Sequence, residues 1–330
     1  MPVLDAHHDF AHPVEGDTAW SESYYFNCYD PVSDSGFFTR IGVRPNEGTM
    51  DVGMSVWLPG GALAQTGGVR EQHVMVDTGL DVAGVSYERI EPMQTWRIRA
   101  DADAFVRDVP PFSDDANLRG GHVALDVTFR ALTPAIGTDG QGAPGEGVSS
   151  ATKQMVAKGH LEQAGRWEGW IEVDGTKLEL VDGRGNRDKS WGPRRWGGPR
   201  MWRWFSINIG DDVHFGGIRI GTELGDLHRG WVWDGHEHSS VTDWSVRTEL
   251  ADDGTTHRVT ELAITDKRGR VHELRGELLR VAPHRTERGD RTTLLNEGLA
   301  RWTYEGRTGY GIAEYLHQLD EHDRPVVPID

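Results

Sequence analysis

Cysteine is almost missing from this chain: Cys28 stands alone among 330 residues. One thiol excludes an internal disulfide framework and a cysteine-ligated zinc site, and it fits a reducing, cytoplasmic setting. Long apolar runs are also missing. Hydrophobic residues make up 37% of the chain, and none of their runs approaches the roughly 18 residues of a membrane helix. The opening MPVLDAHHDFAHP places acids and histidines where a signal peptide has a basic segment and an apolar core. Basic charge is short as well, with 35 Lys and Arg against 52 Asp and Glu, a net charge of -17. That surface repels phosphate backbones and anionic lipid, so neither nucleic acid nor stable membrane insertion is expected. Long amphipathic helical periods are absent too; only 101–107, DADAFVR, reads as a short helical turn.

Strand-like alternation fills the space that helices leave. Residues 51–58 alternate through Val52, Met54, Val56 and Leu58, and 122–130 through Val123, Leu125, Val127 and Phe129. Further strands are expected at 168–173, 176–181, 202–209, 213–220, 228–233, 243–250, 257–265 and 270–281. Asp174-Gly175, Asp253-Gly254 and Arg268-Gly269 supply turn chemistry for hairpins between several of them. The pattern predicts an all-β protein whose later part is an antiparallel meander in a barrel or sandwich. The length favours two domains. The Gly-, Pro- and Ser-rich stretch 134–152 reads as a mobile surface loop inside the first.

Tryptophan is abundant: 13 in all, nine of them between Trp167 and Trp244. Such a cluster builds either a large core or an aromatic-lined pocket for a hydrophobic small molecule. Within it lies the most distinctive segment, Gly183-Arg184-Gly185-Asn186-Arg187-Asp188-Lys189-Ser190-Trp191-Gly192-Pro193-Arg194. It lacks the Walker spacing of a phosphate loop.

The segment resembles the G-x-G-x-R-D-H-S-W-G-x-R signature of the AttH/carotenoid 1,2-hydratase-like superfamily. That group includes hydroxyneurosporene synthase-type hydratases and lipocalin-like Diels–Alderases. SESYYFNCYD (21–30), RIGVRPNEG (40–48) and the tail from Tyr304 to Tyr315 extend the likeness, which points to an uncharacterised bacterial branch. The resemblance implies two calycin-like antiparallel β-barrel or sandwich domains side by side, expected here as 1–182 and 183–330. It also implies a hydrophobic cavity in or between them, and no metal or organic cofactor. In the hydratases the motif aspartate, here Asp188, is the acid that protonates an isolated C=C bond before water captures the cation. This chain has Asn186 where the pattern has tyrosine, and Lys189 where it has histidine, so a proton relay would use other residues.

To act as that acid, Asp188 needs a pKa raised by roughly 2–4 units. Burial among tryptophans works toward this; Arg187, Lys189 and Arg194 work against it if they face the carboxylate, making a structural ion pair instead. Trp202 and Trp204 share one strand face, as do Trp231 and Trp233. With Trp191, Tyr25, Asn27 and Tyr315 they are the candidate ligand contacts, packing being the alternative for each. Glu314 is a second candidate acid or base, on the opposite strand face from Tyr315 and His317. His236 and His238 form an H-x-H pair for which local spacing offers no third histidine ligand, and His7, His8 and His12 fall in a terminus expected to fray. Neither a G-x-S-x-G elbow nor a nucleophilic cysteine is present. Two functions stay open: a cofactor-independent hydratase, isomerase or cyclase acting on an isoprenoid or other lipid-like substrate, or a non-catalytic carrier of a hydrophobic metabolite.

Overall fold

A computed structural model describes residues 1–108, 117–141, 148–288 and 291–330. Strands dominate. The first set is β1 (Trp20–Asp30), β2 (Ser35–Arg44), β3 (Thr49–Trp57), β4 (Leu63–Glu71), β5 (Leu80–Val82), β6 (Val85–Glu91), β7 (Thr95–Asp108), β8 (Asn117–Ala131), β9 (Ile136–Thr138), β10 (Gly159–Val173) and β11 (Thr176–Pro193). The second is β12 (Met201–Ile209), β13 (Val213–Thr222), β14 (Gly225–Trp233), β15 (His238–Leu250), β16 (His257–Asp266), β17 (Val271–Arg288), β18 (Arg291–Tyr304) and β19 (Arg307–Leu319). Among the described residues one α-helix, α1 (Val148–Met155), precedes β10.

The chain divides into two compact units, residues 2–141 with 157–194, and Met1 and 142–156 with 195–330. β11 runs unbroken to Pro193, so the motif from 183 onward stays with the first unit rather than opening the second. Of the loop expected at 134–152, residues 142–147 lie outside the described residues; its flanks form β9 and the start of α1.

In the first unit all pairings are antiparallel, in the order β4-β3-β2-β1-β11-β10-β8-β7-β6-β5. β4 also pairs β7 through Leu63–Gln65 and Phe105–Arg107, which closes the strands from β4 round to β7 into a ring. Its inside holds a core of Tyr24, Phe26, Phe37, Trp96, Phe129 and Trp167, among others. The expected helical turn at 101–107 is part of β7. Ala100, Ala102, Ala104 and Val106 face the core alternately with Asp101, Asp103 and the exposed Phe105, and this period-2 burial overrides the weak strand propensity of Ala and Asp. β10 and β11 meet at Asp174-Gly175, whose φ values of +51° and +80° suit a two-residue hairpin of the primed type.

The second unit is a closed eight-stranded meander, β12 to β19 in sequence order. Its core holds Phe205, Phe215, Trp244, Trp302, Tyr304 and Tyr315. Among the described residues no helix is long and apolar enough to cross a membrane.

Candidate functional site

The pleat of β11 decides what surrounds Asp188. Successive side chains point to opposite faces, so Arg187, Lys189 and Trp191 face the inside of the first unit while Asp188 faces out. Of the three cations that the ion-pair alternative placed on Asp188, Arg187 and Lys189 turn away from it. Those two cations find other partners. Arg187 Nη1 donates to Asp9 Oδ1 at 2.6 Å and its Nε to Gln163 Oε1 at 2.6 Å. Lys189 pairs with Glu22 and donates to the carbonyls of His8 (2.9 Å) and Phe10 (2.8 Å). Their demand for acceptors holds the N-terminal segment in place. His8 is buried, and His12 stacks on Trp191 at 3.8 Å while its Nδ1 meets Glu22 Oε1 at 2.8 Å. The terminus expected to fray is therefore pinned.

On the outer face, register brings three strands together: Tyr25 on β1 lies opposite Asp188, and Asp188 lies opposite Glu162 on β10. His160, two residues before Glu162, shares that face. Its Nε2 hydrogen-bonds Asp188 Oδ2 and stands 3.7 Å from Glu162 Oε1. Burial disfavours the imidazolium, but the charge and hydrogen bond of Asp188, with the charge of Glu162, outweigh it and lift His160 to about 9. His160 therefore carries a proton at neutral pH. Its side chain is 23% exposed and that of Asp188 17%, open enough for another molecule to touch, whereas Glu162 is sealed at 2%. The three ligand atoms lie within 4.8 Å of one another, a span that a divalent cation could bridge in exchange for that proton.

Beside the trio, Asn27 Oδ1 accepts from the backbone N–H of Asn186 at 3.1 Å. Asn27 Nδ2 and both side-chain polar atoms of Asn186 are buried with no hydrogen-bond partner among the described residues. Buried amides left unpaired cost about 1–3 kcal/mol each, which a ligand's polar groups would recover. Tyr25 stacks near Phe38, 6.4 Å between ring centres.

The other candidates sit in the second unit. Phe205 and Ile207 define the inward face of β12, so Trp202 and Trp204 face outward, as do Trp231 and Trp233 flanking inward Val232. Trp202, Trp204 and Trp231 are nevertheless buried. Glu314 also faces outward and accepts a 2.6 Å hydrogen bond from Trp202 Nε1. Tyr315 faces inward, its hydroxyl 2.7 Å from Thr248 Oγ1. His236 lies in an exposed turn organised by Asp234, which accepts from the N–H groups of His236 and Glu237 and pairs with Arg270. The trio at Asp188 is the metal-capable cluster of three among the described residues, and it does not include the H-x-H pair.

A family described as a domain of unknown function, DUF7064, matches residues 5–319. The chain belongs to this family. No curated protein matches. Solved structures share the fold at low identity. An AttH-like protein from Nitrosomonas europaea is 14% identical with a TM-score of 0.58, covering 96% of both chains. CghA, solved with Sch210972, is 13% identical at 0.57, covering 91% of this chain and 88% of its own. Kievitone hydratase from Nectria haematococca is 14% identical at 0.57, covering 89% and 88%. The DUF7064 chain thus has the AttH-like fold that its glycine-rich motif led us to expect, a fold on which a hydratase is built.

Proposed function

We propose that this DUF7064 protein is a cofactor-independent hydratase, isomerase or cyclase acting on a hydrophobic isoprenoid or other lipid-like substrate, with proton transfer at Asp188 and His160. The observation that carries the reading is the hydrogen bond between His160 and Asp188, placed at a partly open point on an otherwise sealed polar face. An imidazolium held near 9 is by itself a reluctant donor. An apolar substrate covering the pair would disfavour its separated charges and drive the proton onto Asp188, making it the acid. The proton then passes to a double-bond carbon, water adds to the cation, and the proton lost by that water returns to the pair. Asn27 and Asn186 offer the hydrogen bonds that orient a polar group of the substrate. Within the second unit, Trp202, Trp204, Trp231 and Trp233 remain candidate aromatic contacts of a ligand, and Glu314 a candidate second acid; Trp191, turned to the inside of the first unit, is left to packing on His12. The alternative is a carrier with no turnover.

The test is mass spectrometry of the purified protein with a pooled panel of terpenoid and polyene lipids in H₂¹⁸O, beside Asp188→Asn and His160→Gln. An ¹⁸O-labelled product, or an isomerised one, that disappears in both variants supports the reading. Ligand retained unchanged by the wild type and both variants would favour the carrier and end the catalytic claim for the pair.

A further inference from the structure

The closed barrel of the second unit has a weak seam. Among the described residues β14 and β15 pair at three positions only, Trp231 with Ser240, Val232 with Ser239 and Trp233 with His238. Both strands run on, β14 back to Gly225 and β15 forward to Leu250. Past the last pair each keeps an edge that the other does not cover, and proteins shield such edges. Residues 326–330 do so here. The N–H of Thr248 on β15 donates to the main-chain oxygen of Asp330 at 2.7 Å, Ile329 packs on the barrel core, and Asp330 pairs with Arg219 on β13. Val327 and Ile329 are half-buried while Val326, Pro328 and Asp330 are exposed, the alternation of an extended segment lying on a surface. Pro328 has no N–H to give to a ladder.

Beneath this segment, register lines up a row of basic side chains. Arg203 on β12 stands opposite Arg219 on β13, and Arg219 opposite His228 on β14. All three share the inward parity of Phe205, Phe215 and Val232. Like charges directly opposite one another are destabilising, and an anion placed among them relieves the repulsion. Arg219 meets Asp226 at 2.6 Å as well as Asp330. Arg203 is less well served. It is fully buried; its Nη1 donates to the carbonyls of Trp202 (2.8 Å) and Leu316 (3.3 Å), and its guanidinium lies 4.3 Å over the Tyr315 ring. Its Nε and Nη2 have no hydrogen-bond partner among the described residues. Burial draws its pKa down to about 10, Tyr315 and Asp330 hold it up against the charge of Arg219, and it is charged at neutral pH. The Asp330 carboxylate thus serves Arg219 by contact and Arg203 through its field. It is a removable counter-ion: in its pair with Arg219 the side chains are 32% and 22% exposed, and ion pairs so open to water hold weakly.

We propose that residues 326–330 are a displaceable strap over an anion site, and that a small organic carboxylate binds Arg203 and Arg219 in the place of Asp330 when the strap lifts. The room it needs is what the strap vacates; the packed core beyond Phe205 is not entered. Two carboxylate oxygens would supply the acceptors that Nε and Nη2 of Arg203 lack, in the forked geometry a guanidinium favours. The site shares no residue with the Asp188 and His160 pair. Malonate is the probe, titrated at constant ionic strength against chloride into the ¹⁵N-labelled full-length protein while the arginine Nε–H signals are followed by NMR. Malonate should saturate one site per chain and shift the Arg203 signal. Asp330→Asn should bind it about 10-fold more tightly than the wild type, as when a strap docked about nine-tenths of the time ceases to compete. Adding Arg203→Met to Asp330→Asn should abolish the gain. The Thr248 amide should exchange with deuterium faster in Asp330→Asn than in the wild type, and faster in wild type with malonate than with chloride. Equal malonate affinity in the wild type and Asp330→Asn, no saturable shift in either, or tight binding that survives Arg203→Met would overturn the proposal. The comparison of the wild type with Asp330→Asn decides even if the Arg203→Met protein does not fold.

Discussion

Replacing Asp188 with Asn leaves the shape of the outer face nearly unchanged and removes the charge that keeps His160 protonated. The lift of His160 from 6.5 to about 9 corresponds, at about 1.4 kcal/mol per pH unit, to about 3 kcal/mol of stability. The folded pKa lies above the unfolded one, so this stabilisation is complete below about pH 6.5 and is lost as pH climbs through 9. In Asp188→Asn the imidazole keeps its burial and the Glu162 charge 3.7 Å away. Loss of the nearer carboxylate should lower its pKa by about 1–3 units. Two assays follow the change: an NMR titration of the His160 ring from pH 5 to 10.5, and urea unfolding at pH 6, 8 and 10. The stability gap between wild type and variant should narrow by about 2–3 kcal/mol from pH 6 to pH 10. A gap that stays flat over that range, or a His160 that titrates alike in both proteins, would refute the coupling and the proton transfer proposed for the pair.

Three further outcomes are expected. Asp9→Ala strands Arg187 in a pair whose side chains are 0% and 2% exposed, so it should cost about 3–5 kcal/mol in urea unfolding, much of it recovered by adding Arg187→Met. Asn186→Leu removes buried amide atoms that have no partner among the described residues; stability should change by less than about 1 kcal/mol while retention of hydrophobic ligand, read by native mass spectrometry, falls. In Gly159→Ala the new Cβ would stand 2.1 Å from the Trp191 ring; displacing that ring from His12 should cost about 1–3 kcal/mol and shift the near-ultraviolet circular dichroism.

How far the chain could be read in advance depended on how local each pairing was. The meander from β12 to β19 joins neighbours in sequence, so alternation and turn residues such as Asp253-Gly254 and Arg268-Gly269 were enough to place β12 to β17; β18 was not among the expected strands. In the first unit Asp188 was legible as a candidate, but its partner was not. Counting outward from the Asp174-Gly175 turn sets Asp188 opposite Leu161, on the inner face. One extra residue on β11 between Leu180 and Gly183 shifts the register, and Asp188 meets Glu162 instead. A bulge of this kind flips every later side chain, and alternation alone does not reveal it. His160 and Glu162 were missed for that reason, although their i, i+2 spacing in HLE already placed two titratable groups on one face. Arg203 was hidden differently: between Trp202 and Trp204 it reads as the solvent-facing member of an alternating strand, and the barrel turns it inward.

The pairing of β1 with β11 has a further consequence, for the order in which the protein can assemble. Trp20 waits for Pro193 and Tyr29 for Arg184, so more than half of the chain must leave the ribosome before the first ring can close. Until then β1 offers an open edge next to Tyr24, Phe26 and Cys28, all of them core residues. Long-range closure of this kind is slow and exposes the chain to wrong partners. The second barrel grows by successive hairpins and waits on one long-range pairing only, that of β12 with β19, to close. Synthesis therefore favours a nascent chain whose N-terminal half stays unfinished until the motif strand arrives, and the residues around Asp188 are the last piece that completes it.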